Sequence, residues 1–412
     1  MGCCLGTLSS AEPKEALHSR KRRQTEEIAP YQTDKELIAL LNDQNPFAFA
    51  SGRMGRDTDQ DHQKKTVLKE TKGGESGFVG IGFVCRNGKK DGANQDNFCV
   101  LKIGSVADLP GAVTSVDSPS TDSGDMSVIV VCDGHGARGE VISEISKDRL
   151  VLEVSRAMLQ RMDVPTALSG SFLLATENVR EEALRRGCDP RFSGSTGTVV
   201  VRKNGHLTTG WVGDSRAVLG RRVARSLGAR TMMSPVPLSS EINPSPSSSS
   251  RKLLHNIDSE IAALKGQFTA IELSIDHSAE RQDEAERIFR FGGIVLKLPS
   301  DAHSRVFASE NASLPGLAMT RSIGDFCGEP VGITSVPELT IQEISENDMF
   351  VLVCSDGVWE FITSEEAVLI CARYGRDRAQ KAAEELAIEA WKRWVKLDGN
   401  SVDDITVVLY WL

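Results

Sequence analysis

Positive charge is scarce in this 412-residue chain: 48 lysines and arginines face 57 aspartates and glutamates, a net charge of −9. That balance argues against a nucleic-acid binder, whose footprint is basic. Long apolar runs are missing too. None approaches the roughly 18 residues that span a bilayer, and the N-terminus lacks the apolar core segment of a secretory leader. The nine cysteines include no CxxC pair and no Cys/His spacing suited to zinc. Cys85, Cys99, Cys132 and Cys354 fall in apolar runs, where a free thiol behaves as a small hydrophobe. A reducing, intracellular setting is expected. What the chain does have is 40% hydrophobic content, enough for one large globular domain or two smaller ones.

The organising stretch is Ser127–Ile142, SVIVVCDGHGARGEVI. Its β-branched run Val128–Val131 reads as a strand buried on both faces. Asp133-Gly134-His135-Gly136 reads as a turn ending that strand, its glycines bringing backbone carbonyls close to a ligand. Asp133 offers hard oxygen for Mg²⁺ or Mn²⁺, and His135 can donate a proton near neutral pH.

Around this stretch, Val79–Arg86 and Asn97–Ile103 read as strands flanking the polar segment NGKKDGANQD, which holds Lys89, Lys90 and Asp96. Glu140–Met162 has helical spacing, and a second helix is expected after Asp163 as N-cap, with Pro165 in its first turn. Thr196–Arg202 and His206–Val212 form a hairpin through Asn204-Gly205, a type I′ signal. Gly213-Asp214 follows, then a strand at Ala217–Arg221. Further on come a helix at Ala279–Phe291, a buried run Asp348–Cys354 ending at Ser355-Asp356-Gly357, helices at Ser364–Tyr374 and Arg376–Leu397, and a strand Ile405–Trp411 after Asp403-Asp404. The hairpin makes the sheet at least partly antiparallel, which counts against a doubly wound parallel fold.

Residues 1–77 read as a tail and linker. After loss of Met1 the chain starts Gly2-Cys3-Cys4-Leu5-Gly6. Gly2 suits myristoylation and Cys3 and Cys4 suit palmitoylation, although Gly6 stands where the motif has Ser or Thr. One acyl chain anchors marginally, so the cysteines, or the basic run Arg20-Lys21-Arg22-Arg23, would supply the second hold. The expected location is the cytosol and the cytoplasmic face of a membrane. The folded domain is expected over 78–412, interrupted by a flexible insertion at about 223–268, whose Ser/Pro-rich sequence buries too little apolar area to fold alone.

Asp133, Asp214 and Asp356 each close an apolar run beside a glycine, Asp403 opens one, and Asp96 adjoins another. Brought to one sheet edge, such carboxylates need cations to coexist at neutral pH. An all-oxygen set selects Mg²⁺ or Mn²⁺ over zinc. Paired ions of this kind hydrolyse phosphate esters by acidifying a water and clamping the phosphoryl oxygens. His135 would protonate the departing oxygen.

The ordered series VIVVCDGHGARG, SGSTGTVVV, GWVGDSRAVL, IDHSAERQDEAERIFRFGGIV, GLAMTRSIGD, VLVCSDGVWEFI and DDITVVLYWL closely resembles the type 2C metal-dependent serine/threonine protein phosphatases. The resemblance covers roughly Phe78 to Leu412 outside the insertion. It implies an α+β fold: an α-β-β-α sandwich of two antiparallel sheets flanked by helices. It also implies two Mg²⁺ or Mn²⁺ ions, bridged by Asp133, with the Gly134 carbonyl completing one site and Asp356 and Asp403 holding the other; Asp96, also a metal candidate, matches the aspartate of the family's early Glu-Asp pair. His135 matches the proposed general acid. Asp214 and the position of Glu360 match a weaker third metal site.

Three positions depart from the family pattern. Gln95 replaces a glutamate. Lys89 or Lys90 stands in for a phosphate-binding arginine, as a point charge without the fork. Glu360 replaces an aspartate. The function implied is hydrolysis of phosphoserine and phosphothreonine in proteins by a membrane-tethered monomer, with phosphoproteins and no nucleic acid as partners. The alternative, to which Gln95 points, is a pseudophosphatase that binds phosphoproteins without turnover.

Overall fold

In this computed structural model, residues 47–52, 79–89, 92–103, 126–223, 259–299, 301–311, 314–399 and 401–412 are described. The lipidation candidates Gly2, Cys3 and Cys4, the basic run at 20–23, Lys90 and most of the 223–268 insertion lie outside them.

Two antiparallel sheets carry the fold. The first orders β1 (Phe47–Gly52), β3 (Asp96–Ile103), β4 (Met126–Gly136), β6 (Gly197–Lys203), β7 (His206–Val212) and β14 (Glu338–Glu343) side by side. Short strands β5 (Ser193–Ser195) and β13 (Ile323–Gly324) extend it from the far end of β4. The second orders β2 (Ile81–Arg86), β16 (Ile405–Trp411), β15 (Asp348–Cys354), β8 (Arg216–Arg222) and β9 (Phe268–Glu272). A small sheet of β10 (Ile294–Leu296), β11 (Arg305–Phe307) and β12 (Pro315–Leu317) stands apart. The helices are α1 (Gly139–Leu159), α2 (Val164–Arg185), α3 (Gln282–Arg290), α4 (Asp356–Trp359), α5 (Ser364–Ala372) and α6 (Ala379–Leu397), with a further helical turn at 259–264.

Side-chain parity explains the layering. In β4, Val128, Val130 and Cys132 face the helical cluster that holds Leu168 and Phe172, whereas Ile129 and Val131 pack between the sheets. In β15, Phe350, Leu352 and Cys354 meet α5 and α6, whereas Val351 and Val353 face inward. Central strands with apolar residues on both faces need a layer on each side. The α-β-β-α sandwich follows. Each large side chain buried in it contributes about 1.5–3 kcal/mol relative to exposure.

Local signals agree with this plan. The Asp163 side chain accepts from the Thr166 N–H at 3.0 Å, with proline in the first turn of α2. Asn204 and Gly205 both take positive φ, +49° and +73°, as the hairpin requires.

Three expectations need correction. β1 pairs with β3 throughout its length, Phe47 opposite Ile103 and Gly52 opposite Phe98, so part of the presumed 1–77 tail is an edge strand. Its two phenylalanines alternate with small alanines and gave a weak pattern. Secondly, Phe268 already pairs with Arg222, so the sheet resumes within the presumed insertion. Thirdly, Asp133-Gly134-His135-Gly136 is strand, not turn: Gly134, His135 and Gly136 pair with Ser195, Gly194 and Ser193 of β5. Gly134 is needed for close approach, since a Cβ there would overlap the Gly139 carbonyl.

An ionic lock joins α3 to the segment before β13 and to β14. Glu284, 1% exposed, is gripped by both Arg287 amino groups at 2.6 Å, by Arg321 Nη2 at 2.6 Å and by the Thr320 hydroxyl. Glu338 accepts from Arg281 Nη2 at 2.9 Å and Arg321 Nη2 at 3.1 Å. His277, Glu284 and Glu338 lie close enough to share an ion, but these guanidinium groups already neutralise both carboxylates. Among the described residues, no helix is long and apolar enough to cross a membrane.

Candidate metal centre

The predicted acids meet at one end of the sandwich. Asp96 opens β3 and sits directly opposite Asp133 of β4 in register. Both continue the inward-facing parity of Phe98, Val100, Ile129 and Val131, so they point between the sheets. Asp214 lies in the turn from β7 to β8, Asp356 directly follows β15, and Asp403 directly precedes β16. Antiparallel pairing brings these ends together.

The supports are specific. The Thr196 N–H donates to the Asp133 carbonyl at 2.8 Å, and the Asp133 N–H donates to the Thr196 side-chain Oγ1 at 2.9 Å. Thr196 Oγ1 in turn meets Ser215 Oγ at 2.7 Å, which ties β4 to the Asp214 turn. That turn passes through Gly213 at φ +93°, and the Gly213 N–H donates to His277 Nδ1 at 3.1 Å. Ser355 donates its hydroxyl to Asp96 Oδ2 at 2.8 Å.

Charge crowding is the dominant electrostatic fact. Burial raises the Asp133 pKa well above the carboxylate range, and Asp96, Asp356, Asp403 and Asp214 add to the rise. Burial followed by Asp404 pushes Asp96 to about 7, with Asp403 adding and the hydrogen bond from Ser355 opposing. Burial and Asp276 push Asp214 to about 6, against the pull of His135. Asp96 Oδ1 and Asp214 Oδ1 are buried with no hydrogen-bond partner among the described residues. Buried oxygens left so carry a desolvation penalty. Hard divalent cations fit this donor set, since they supply both the missing charge and the missing partner.

The family model described as protein phosphatase 2C matches residues 106–235 and 258–396. The chain belongs to the protein phosphatase 2C family. Its enzyme class is accordingly metal-dependent protein serine/threonine phosphatase. Among its relatives, Probable protein phosphatase 2C 72 of Arabidopsis thaliana is 28% identical over 81% of this chain and 92% of that protein. Probable protein phosphatase 2C 64 of Oryza sativa subsp. japonica is 31% identical, but this chain spans only 57% of its length. In fold, the chain resembles a serine-threonine phosphatase 2C from Toxoplasma gondii, with a TM-score of 0.56 at 17% identity, covering 81% of this chain and 94% of that one. A C. elegans sex determining protein gives a TM-score of 0.55 at 18% identity, over 84% of this chain and 66% of that one.

Within this phosphatase 2C chain, two neighbouring acids divide the work. Asp404 accepts from the Gly88 and Gln95 N–H groups, one on each oxygen, both at 2.8 Å. It holds Gly88 and Gln95, and the half-buried Asp403 is the one that acts on Asp133. The Lys89 N–H donates to the Val402 carbonyl at 2.8 Å, so the exposed Lys89 stands beside Asp403. The Gln95 side chain does not simply replace a carboxylate: its Nε2 donates to the Gly136 carbonyl at 2.9 Å, while the residue's backbone carbonyl accepts from the Gly134 N–H and the Ser143 hydroxyl. Glu360 is drawn elsewhere, with His303 Nε2 3.1 Å from its Oε2.

Sequence reasoning missed Asp325. Its Oδ2 lies 2.5 Å from His135 Nε2 and accepts from Ser322 Oγ at 2.7 Å. Burial lowers the His135 pKa, but the Asp325 carboxylate outweighs it and Asp214 adds, so the ring is raised above its ordinary value. The signal was present in GLAMTRSIGD, whose terminal acid follows a strand-like pair at a glycine.

Proposed function

We propose that the chain hydrolyses phosphoserine and phosphothreonine in proteins with two divalent ions, Mg²⁺ or Mn²⁺. Asp96, Asp133, the Gly134 carbonyl, Asp356 and Asp403 would hold them. Asp214 would serve a weaker third position, in which Glu360 takes part only by leaving His303. When bound, such ions supply an acidified water and neutralise the phosphoryl oxygens. The observation that carries this reading is the convergence of Asp96, Asp356, Asp403 and Asp214 on the buried Asp133, a concentration of negative charge that bound cations would offset.

The chain's own groups account for the rest. Lys89, exposed beside Asp403, draws the phosphate dianion toward the carboxylates as a point charge; Lys90, next in sequence, is assigned the same task. As the bond from water oxygen to phosphorus forms, the bond to the seryl or threonyl oxygen breaks. His135 gives that oxygen its proton and regains one from solvent. The Gln95 amide, by holding the Gly136 carbonyl, fixes the strand that presents both Asp133 and His135.

Turnover of a phosphoserine peptide with Mn²⁺, abolished by EDTA, is the test. Activity unchanged by EDTA rejects the reading. Asp133→Ala should lose turnover and Mn²⁺ binding together. A wild-type protein that binds phosphoprotein with no turnover under any metal would instead be a pseudophosphatase. We propose in addition that Gly2, Cys3 and Cys4 are acylated and hold the enzyme at the cytoplasmic face of a membrane. Gly2→Ala should then move it to the soluble fraction.

A further inference from the structure

We infer that Asp325 is a positioning residue for His135, holding the imidazole by Nε2 so that Nδ1 is the nitrogen left to deliver a proton. The inference rests on the reading of His135 as general acid.

Four observations converge on it. The contact is short, 2.5 Å between His135 Nε2 and Asp325 Oδ2. The carboxylate is enclosed, 2% exposed, and the same oxygen accepts from Ser322 Oγ at 2.7 Å. Asp325 also stands at φ +48°, a left-handed conformation that costs a non-glycine residue energy and gathers at functional sites. Its backbone is held there by its N–H donating to the Ser193 carbonyl at 3.1 Å and by the Gly328 N–H donating to its own carbonyl at 2.7 Å. Finally, Gly194 clears the space: a Cβ at Gly194 would overlap Asp325 Oδ2 and lie 2.6 Å from His135 Nε2. The local backbone is shaped around this side-chain pair.

An ordinary salt bridge accounts for the pairing alone. It does not account for strain at the acid, a second donor on the same oxygen and a glycine whose absent side chain makes the room. A buried carboxylate bonded to one ring nitrogen fixes the tautomer and orientation of the other, as the aspartate of a Ser-His-Asp triad does. The bond broken and the bond formed are those of the hydrolysis above. Asp325 gains and loses no proton in it.

Leaving-group dependence separates positioning from mere support. A seryl alkoxide needs the acid, whereas p-nitrophenolate leaves without one. With Mn²⁺ bound, His135→Gln and Asp325→Asn are each expected to lower kcat on a phosphoserine peptide by roughly 10²-fold or more. On p-nitrophenyl phosphate the loss should stay within a few-fold. Asparagine tolerates positive φ, so the backbone of Asp325→Asn keeps its conformation. Ser322→Ala, which removes only the second donor on Asp325 Oδ2, should give a smaller loss with the same substrate split.

The metal-free protein gives a readout independent of turnover. In imidazole ¹⁵N spectra, Asp325→Asn should move the His135 ring signals, assigned with His135→Gln, and leave those of the other histidines in place. If His135→Gln shows the split and Asp325→Asn does not, or if the His135 signals stay put, the inference falls while the general-acid reading stands. If His135→Gln loses activity equally on both substrates, the general-acid reading falls and takes the inference with it.

Discussion

Asparagine in place of Asp96 removes one charge from the crowded end of the sandwich without changing its shape, and the new amide oxygen can still accept from Ser355. The Asp96 pKa rises from 3.8 to about 7 in the folded protein. A carboxyl raised on folding holds its proton more tightly folded than unfolded. Its ionisation therefore costs the folded state nothing below the unfolded pKa, and the full penalty is reached above about pH 7. Three units at 1.36 kcal/mol each make that penalty about 4 kcal/mol. At roughly 2 °C per kcal/mol for a domain of this size, Asp96→Asn should raise the melting temperature in EDTA at pH 8 by several degrees. At pH 4 the two proteins should melt together. Added Mn²⁺ stabilises whatever binds it in the folded state, so the wild type should gain more from Mn²⁺ than the variant does. Thermal melts by circular dichroism at both pH values, with and without metal, read all of this. A variant that melts at or below the wild type in EDTA at pH 8 would refute the charge-crowding argument, whatever its activity.

Glu284→Ala should destabilise the fold by about 3–5 kcal/mol, because it leaves the partly buried Arg287 guanidinium without its carboxylate and Arg321 with Glu338 alone; urea denaturation measures it. The same lock should weaken in acid: Glu338 is held down to about 2, first by the neighbouring His277 ring and then by Arg281, so its contribution is complete above pH ~4.5 and fades as pH falls toward 2. Gln95→Glu should lower the metal-free melting temperature, by losing the bond to the Gly136 carbonyl and adding an acid to the cluster, while tightening Mn²⁺ binding in calorimetry. Lys89→Ala should raise KM for phosphopeptide several-fold with kcat nearly unchanged, as loss of an exposed, screened charge would; a collapse of kcat would contradict its place outside the reacting atoms.

The strands with apolar residues on both faces were the most legible part of the chain. His206–Val212, Asp348–Cys354 and Ile405–Trp411 have the bounds their periodicity suggests, because burial on two sides leaves an unbroken apolar run. β1 and β14 were harder to see: edge strands bury one face, and FAFASG and ELTIQE alternate weakly. The acids at strand ends were visible one at a time, but their meeting depended on strand order, which no local pattern encodes. Asp325 was hidden for a similar reason. Its partner lies 190 residues away, and only the pairing of Gly194 with both β4 and β13 brings them together. Asp403 was singled out from Asp404 by resemblance alone, and the two backbone N–H groups bound by Asp404 supply a physical reason for the difference.

The position of β16 has a consequence for biosynthesis. It lies between β2 and β15 and pairs with both, so the earliest strand of the second sheet waits for residues 405–411 before it gains a neighbour. Before residue 404 is reached, β15, β8 and β9 can pair, but β2 has no neighbour and the cluster of acids is incomplete. A chain cut before β16 leaves β2 without a strand partner and Asp133 without its neighbour Asp403.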